Sequence, residues 1–233
     1  MSDAVNPRRH YSSVRRQQQA AQTRHDIVVA ADALFRELGY VGATMPVIAR
    51  ASGVVVETVY RAFGSKAGLF GAVVDAAVAG GAARAVRPVE ERPAIRRVIE
   101  EPDPRRQLAL YAATQPGIHE RSGALLRALA GAAASDPGLR ALWDDIERRR
   151  LAGQGRLATR LGEQGVLRAD IGIEAARDLI WLHCSLAVHD MLLLTLGWSP
   201  ARYEAWLAQI LIRELLPSIR VCRSGGIRRL SRS

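Results

Sequence analysis

IVVAADALFRELGYVGATMPVIARASGVVVETVYRAFGSKAGLF, Ile27 to Phe70, decides the fold. Ile27, Ala31, Leu34, Phe35 and Leu38 recur at helical spacing, and Gly39 supplies a C-terminal stop. Upstream, Thr23 with Asp26 three residues later is a variant of the capping box and predicts the helix start. Thr44 caps a second, shorter helix that tolerates Pro46 in its first turn. Val47, Ile48 and Ala51 give that helix its buried face, and Ser52-Gly53 ends it. A third helix runs from about Val55 to Phe63, with Val54, Val59 and Phe63 facing inward. Gly64-Ser65 then opens a fourth, from Lys66 to about Arg84. Two short helices joined by a tight glycine turn and propped by a longer one match the helix-turn-helix plan. Helices this short are not stable alone and must pack on the first.

Lys66 is the only lysine among 33 basic residues, the rest being arginine. It stands beside Thr58-Val59-Tyr60, Phe63 and Ser65, and ahead of Leu69. Together with Ala31-x-x-Leu34-Phe35, Gly39-Tyr40, Thr44, Ile48-Ala49 and Ala51-x-Gly53-Val54, these residues resemble the N-terminal DNA-binding domain of the TetR family of bacterial transcription regulators. The resemblance covers residues 23–83 and implies a role for the lone lysine. In the family pattern, the lysine opening helix four contacts a DNA phosphate. A compact ammonium suits that task, and an adjacent helix N-terminus adds free amides. The plain alternative is a solvated first-turn cation, mildly unfavourable against the helix dipole.

The resemblance sorts the other positions by role. Thr44 offers its hydroxyl and the helix-two amides to a phosphate, unless capping alone explains it. Tyr60 matches the family's phosphate-contacting tyrosine, the alternative being a partly buried core residue. The outward face of the recognition helix is expected to hold Val55, Val56, Glu57, Thr58 and Arg61. Arg61 suits a bidentate contact to guanine, and the valines suit thymine methyls. Two positions depart from the family. Val55 stands where Ser is usual and cannot cap the helix with an oxygen, which costs about 1 kcal/mol. Glu57 stands where a small residue is common; it either accepts from a cytosine amino group or repels wrong sites.

Outside this segment, 48% apolar composition over 233 residues supplies a sizeable core. The net charge of +10 favours nucleic acid as partner, then an anionic membrane surface, against a merely solvated arginine coat. Residues 1–22, with Arg8, Arg9, Arg15 and Arg16, read as a flexible basic arm that either enters a DNA groove or is passive. Residues 218–233 read as a disordered basic tail. Cys184 and Cys222 form no C-x-x-C pair and fit a reducing compartment. The N-terminus has no secretory pattern. The most apolar stretch, Leu179–Leu196, is interrupted by His183, His189 and Asp190, so a cytoplasmic protein without membrane contact is expected.

The remainder, residues 84–217, reads as helices throughout. Helices are expected near 92–101 and 104–134, the latter interrupted at Pro116-Gly117. A helix opened by Asp136-Pro137 runs to about Gly165. Another spans 173–196, and one capped by Ser199-Pro200 closes at Pro217. Leu167-Arg168-Ala169-Asp170 and Leu196-Gly197-Trp198-Ser199-Pro200, with Tyr203 and Trp206-Leu207, look like patterns of one TetR subgroup. The fold expected is therefore all-α, with a helix-turn-helix domain followed by a helical domain that, in the family, binds a ligand and dimerises. Trp181, Leu193, Trp206, Leu207, Ile210 and Leu211 are candidates for the dimer interface, or alternatively internal packing. Tyr111, His119, Trp143, Trp181, His183, Cys184, His189, Asp190 and Met191 are candidates for an apolar pocket with a few polar groups. His183 and Asp190 would share a helix face, but no metal site is expected, nor any cofactor.

No G-x-S-x-G, Walker loop, Rossmann fingerprint or H-E-x-x-H occurs, and an enzyme is not expected. The expectation is a homodimeric regulator, most simply a repressor, that binds a palindromic double-stranded operator and is released by an unidentified small molecule. A constitutive architectural DNA-binding protein without effector, or an activator, is the alternative.

Overall fold

The computed structural model describes residues 7–218 and contains no strand among them. Helix α1 (Pro7–Gly42) is broken at Gly39, where φ is 68° and ψ 177°, so its last residues form a separate turn. The segment expected as a flexible arm is helical from Pro7, continuing α1 through a run of Arg, Gln and Ala, which favour helix; residues 1–6 lie outside the described residues. Thr23 accordingly sits inside α1 instead of capping it, and Asp26 accepts a hydrogen bond from Gln22 Nε2 at 2.8 Å.

Helices α2 (Met45–Ala51), α3 (Val56–Phe63) and α4 (Lys66–Ala79) follow the spacing of the sequence signals. Ser65 caps α4 by accepting from the Gly68 amide. The fourth helix ends earlier than expected. Gly80 adopts the left-handed conformation at φ 81°, which favours glycine, and α5 (Ala82–Ala85) starts afresh.

A 3-10 turn (Val89–Glu91) leads to α6 (Pro93–Glu100), α7 (Pro104–Ala132) and α8 (Pro137–Glu163). α7 runs through Pro116 without interruption. A proline inside a helix costs roughly 3 kcal/mol. Here α7 is packed by α4, α6, α8 and α11 and buries Leu108, Leu125 and Leu129. Each such side chain contributes about 1.5–3 kcal/mol, so packing outweighs the lost hydrogen bond. Asp136 caps α8, accepting from Gly138 and Leu139 at 2.7 and 3.0 Å.

The helix expected over 173–196 is divided. α9 (Ile173–His183) stops at Cys184, and Ser185 accepts from the Val188 amide to start α10 (Leu186–Asp190). A π turn (Met191–Thr195) and Gly197 follow. A serine hydroxyl that bonds nearby amides competes with helix continuation, which explains the break. Ser199 and Pro200 open α11 (Pro200–Leu215) as expected. Ser218 is the only described residue of the expected tail; Cys222 and the tail arginines lie outside the described residues.

Two buried clusters hold these helices. The first joins Ile27, Ala31 and Phe35 of α1 to Ile48, Val59, Leu69, Phe70 and Val73, and continues into Leu125, Leu129 and Leu139 of α7 and α8. The second joins Leu108 and Ala112 to Leu157, Leu161, Ile180, Tyr203, Leu207 and Leu211. The N-terminal helices thus share one core with the ends of α7 and α8.

Candidate nucleic-acid interface

The α2–α3 turn is fixed by local chemistry. Gly53 has φ 69°, the Val54 amide donates to the Ala49 carbonyl at 3.0 Å, and the Ser52 hydroxyl to that of Ile48 at 2.8 Å. Ile48 and Val59 are fully buried and anchor the two helices from below. An aromatic trio supports them. The Phe35 and Phe70 rings meet edge-on at 4.8 Å, and Tyr40 lies 5.9 and 5.4 Å from Phe35 and Phe70. Such pairs add about 0.5–1.5 kcal/mol beyond their area.

With Val59 pinned inward, α3 presents Val55, Glu57, Tyr60 and Arg61 to solvent; Val55 is 64% exposed and Tyr60 50%. Val56 does not join them. It is half-buried against the core, because the i, i+3 spacing to Val59 puts it on the anchored side. Thr58 is also half-buried. Thr44 is exposed at the N-cap of α2, where its side chain makes no capping hydrogen bond. Val55 likewise makes none at α3. Arg50, not singled out from the sequence, is exposed with Pro46 on α2. Their four-residue spacing, starting near Thr44, was the available signal.

Lys66 opens α4 but is not a freely solvated cation. Its Nζ donates to the Val41 carbonyl at 3.2 Å and stands 4.5 Å over the Tyr40 ring. Partial burial lowers its pKa. An ammonium has three donors, so the Val41 contact leaves others for an anion. Arg24 is held similarly, stacked 4.1 Å over Phe63 and bonded to the Ala62 carbonyl.

The pocket candidates divide. Tyr111, His119, Cys184, His189 and Tyr203 come together between α7, α9, α10 and α11. Trp143 does not belong with them, since the first turns of α8 pack it against the N-terminal core. Trp181 lies under Arg150 at 4.5 Å, and His183 meets Trp206 edge-on at 5.8 Å. Asp190 accepts two hydrogen bonds from Arg127, at 3.0 and 3.1 Å. The break at Cys184 puts His183 and Asp190 on different helices, so they share no face. Met191 is exposed. Two surface clefts, of about 270 and 310 Å³, lie elsewhere, around Pro104–Leu216 and Gly162–Ile173.

Of the interface candidates, Leu207 and Leu211 are fully buried within this chain and cannot be contact residues. They occupy the inner stripe of α11. Trp181, Leu193, Trp206 and Ile210 are half-buried. Exposed apolar side chains between α9 and α11 are instead Ile173, Leu182, Met191, Leu194 and Leu196. Among the described residues, Ile173–Thr195 has the length of a membrane span, and its most apolar stretch has a mean hydropathy of 1.2 with 17% of it buried. Its exposed apolar side chains are spread along α9 and the π turn.

Comparison with known proteins agrees with the resemblance. Residues 27–73 match the family model of bacterial regulatory proteins of the tetR family. The chain therefore carries a TetR-type helix-turn-helix DNA-binding domain. No curated protein matches the chain significantly. A TetR-family transcriptional regulator from Mesorhizobium loti superposes with a TM-score of 0.64 at 22% identity, over 85% of this chain and 98% of its own. NalD of Pseudomonas aeruginosa, the secondary repressor of the MexAB-OprM multidrug efflux pump, gives 0.61 at 21%, over 86% and 99%. The fatty acid degradation regulator FadR of Bacillus halodurans gives 0.61 at 17%, over 80% and 96%. At these identities the likeness is one of fold.

Proposed function

We propose that this protein is a cytoplasmic transcriptional repressor that binds a palindromic DNA operator as a homodimer and leaves it when a small molecule occupies its C-terminal half. The observation that carries the DNA-binding role is the outward set Val55, Glu57, Tyr60 and Arg61 on a short helix pinned by Val59, on a chain with net charge +10. Tyr60, Thr44 and Lys66 take phosphates and set the register; Arg61 and Val55 read base edges, with Glu57 selecting between sites. Val56 and Thr58, half-buried, shape the helix more than they read.

Dimerisation is supported by the exposed apolar side chains Ile173, Leu182, Met191, Leu194 and Leu196. Pairing them with a second copy through Trp181, Leu193, Trp206 and Ile210 removes them from water. The two recognition helices then sit about 34–36 Å apart or a multiple of it, as successive major grooves require. Release works by linkage. A ligand held among α7, α9 and α11 shifts α7, and α7 holds α4 through the Arg121–Ala77 hydrogen bond of 2.9 Å. A coupling of about 1–3 kcal/mol is enough for a switch.

The test is selection of binding sites from a random duplex pool, followed by sedimentation of the complex with the winning duplex. A palindromic consensus carrying two chains supports the proposal. An asymmetric site, or one chain per duplex, refutes the dimer.

A further inference from the structure

Deep between α7, α8 and α11, several polar atoms have no partner. His119, Gln154 and Tyr203 are 6%, 5% and 0% exposed. Both ring nitrogens of His119, the Oε1 of Gln154 and the hydroxyl of Tyr203 are buried without a hydrogen bond. The Cys184 backbone lies close to His119, but neither nitrogen reaches bonding geometry. Folded interiors leave few such groups, because each forfeits its hydration. Finding three on one site calls for an explanation.

The three converge. The rings of His119 and Tyr203 are 6.3 Å apart, and Tyr111, near Tyr203, is hydrogen-bonded to the Gln154 side chain, whose Oε1 stays unpartnered. Rings pack against them: His189 is 4.5 Å from His119 and 5.2 Å from Tyr203, and Trp206 stacks near-parallel on Tyr203 at 6.2 Å. The nearby charges are already paired. Arg150 bonds Glu147 and the Trp181 carbonyl, each at 2.8 Å. Arg127 holds Asp190, which also meets His189 at 3.0 Å. Burial pushes the Cys184 thiol up to about 12, and burial with His189 beside it pushes His119 down to about 4, so both are neutral. A charged guest would be buried without a counter-charge. The inventory on offer is a donor and an acceptor from His119, both again from Tyr203, and an acceptor from Gln154.

We infer that His119, Gln154 and Tyr203 form a binding site for an uncharged, planar molecule that carries both a hydrogen-bond donor and an acceptor. This rests on the effector-release reading above and names its ligand class. The competing account is that ordered water satisfies the three groups and they serve packing alone.

The probe is para-hydroxybenzamide, titrated into the full chain by calorimetry and thermal unfolding. Para-hydroxybenzoate, tyramine and ethylbenzene serve as its anionic, cationic and apolar counterparts. The amide should raise Tm saturably and the three counterparts should not. Tyr203→Phe and Gln154→Leu should each weaken the amide at least tenfold while leaving the ligand-free Tm equal or higher. Equal binding of a counterpart, no binding of the amide, unchanged affinity in the variants, or a lower Tm in both would overturn the inference. Duplex binding measured in parallel separates the two readings. If it is absent while the amide binds as described, the repressor reading fails and the site stands.

Discussion

The ammonium of Lys66 stands 4.5 Å over the ring of Tyr40, fastening the start of α4 to the end of α1. The same nitrogen bonds the Val41 carbonyl, so the only lysine in the chain is a structural clasp as well as the proposed phosphate ligand. A half-exposed cation–π contact is worth about 0.5–1 kcal/mol. Lys66→Ala should therefore lower unfolding stability by about that amount, and Lys66→Met, which keeps the stem, by less. Denaturant unfolding of both variants measures the two parts; an unchanged stability of Lys66→Met would mean that the ammonium contributes nothing here.

Gly68 lies where no side chain fits. A Cβ there would stand 2.3 Å from the Phe63 carbonyl oxygen, a backbone atom that cannot swing aside. At Gly162 a Cβ would meet Ile173 Cγ1 at 2.6 Å, but Ile173 is 41% exposed and can turn away. Gly68→Ala should cost about 2 kcal/mol or more as the turn into α4 shifts. Gly162→Ala should cost less, because helix propensity returns about 1 kcal/mol. Thermal unfolding of the two variants, with duplex binding of the first, checks the ranking.

Arg149 of α8 grips Asp75 of α4 at 2.9 and 3.1 Å, across the boundary between the two halves. Both side chains are nearly half exposed, 47% and 45%, so water screens the pair. A double-mutant cycle with Asp75→Asn and Arg149→Leu should give a coupling of about 0.2–1 kcal/mol. A much larger value would show that this pair, and not the shared apolar core, holds the halves together.

His119 ties stability to pH. Its folded pKa is about 4, below the ordinary 6.5, because burial and then the adjacent His189 disfavour its charged form. The unfolded chain thus binds more protons between those values. The contribution is fully present above pH 6.5 and is lost as pH falls toward 4, up to roughly 3 kcal/mol. His119→Phe should flatten the fall in Tm between pH 7 and pH 4.5. An unchanged slope would place the acid sensitivity elsewhere.

What the sequence revealed follows from how local each signal is. Ser65, Asp136-Pro137 and Ser199-Pro200 cap their helices within a few residues, and each helix starts where these residues put it. The turn at Gly53 and the inward Val59 are equally local and were legible too. Decisions made by packing were not. Nothing near Pro116 tells that α7 will bury enough of its surface to keep the helix going. Leu207 and Leu211 look like Trp206 and Ile210 until α7 covers one side of α11. The unpartnered atoms of His119, Gln154 and Tyr203 come from three helices far apart in sequence, and no spacing rule joins them.

The N-terminal helices are proposed to read DNA by sequence while their cations hold its phosphates. The most direct test titrates the selected duplex and a scrambled one at several salt concentrations, with the natural chain and Lys66→Ala. The natural chain should prefer the selected duplex at every salt, with log affinity falling linearly against log salt. Lys66→Ala should weaken both duplexes alike and reduce the salt slope by about one. Equal affinity for the two duplexes, or a slope that Lys66→Ala leaves unchanged, would contradict it.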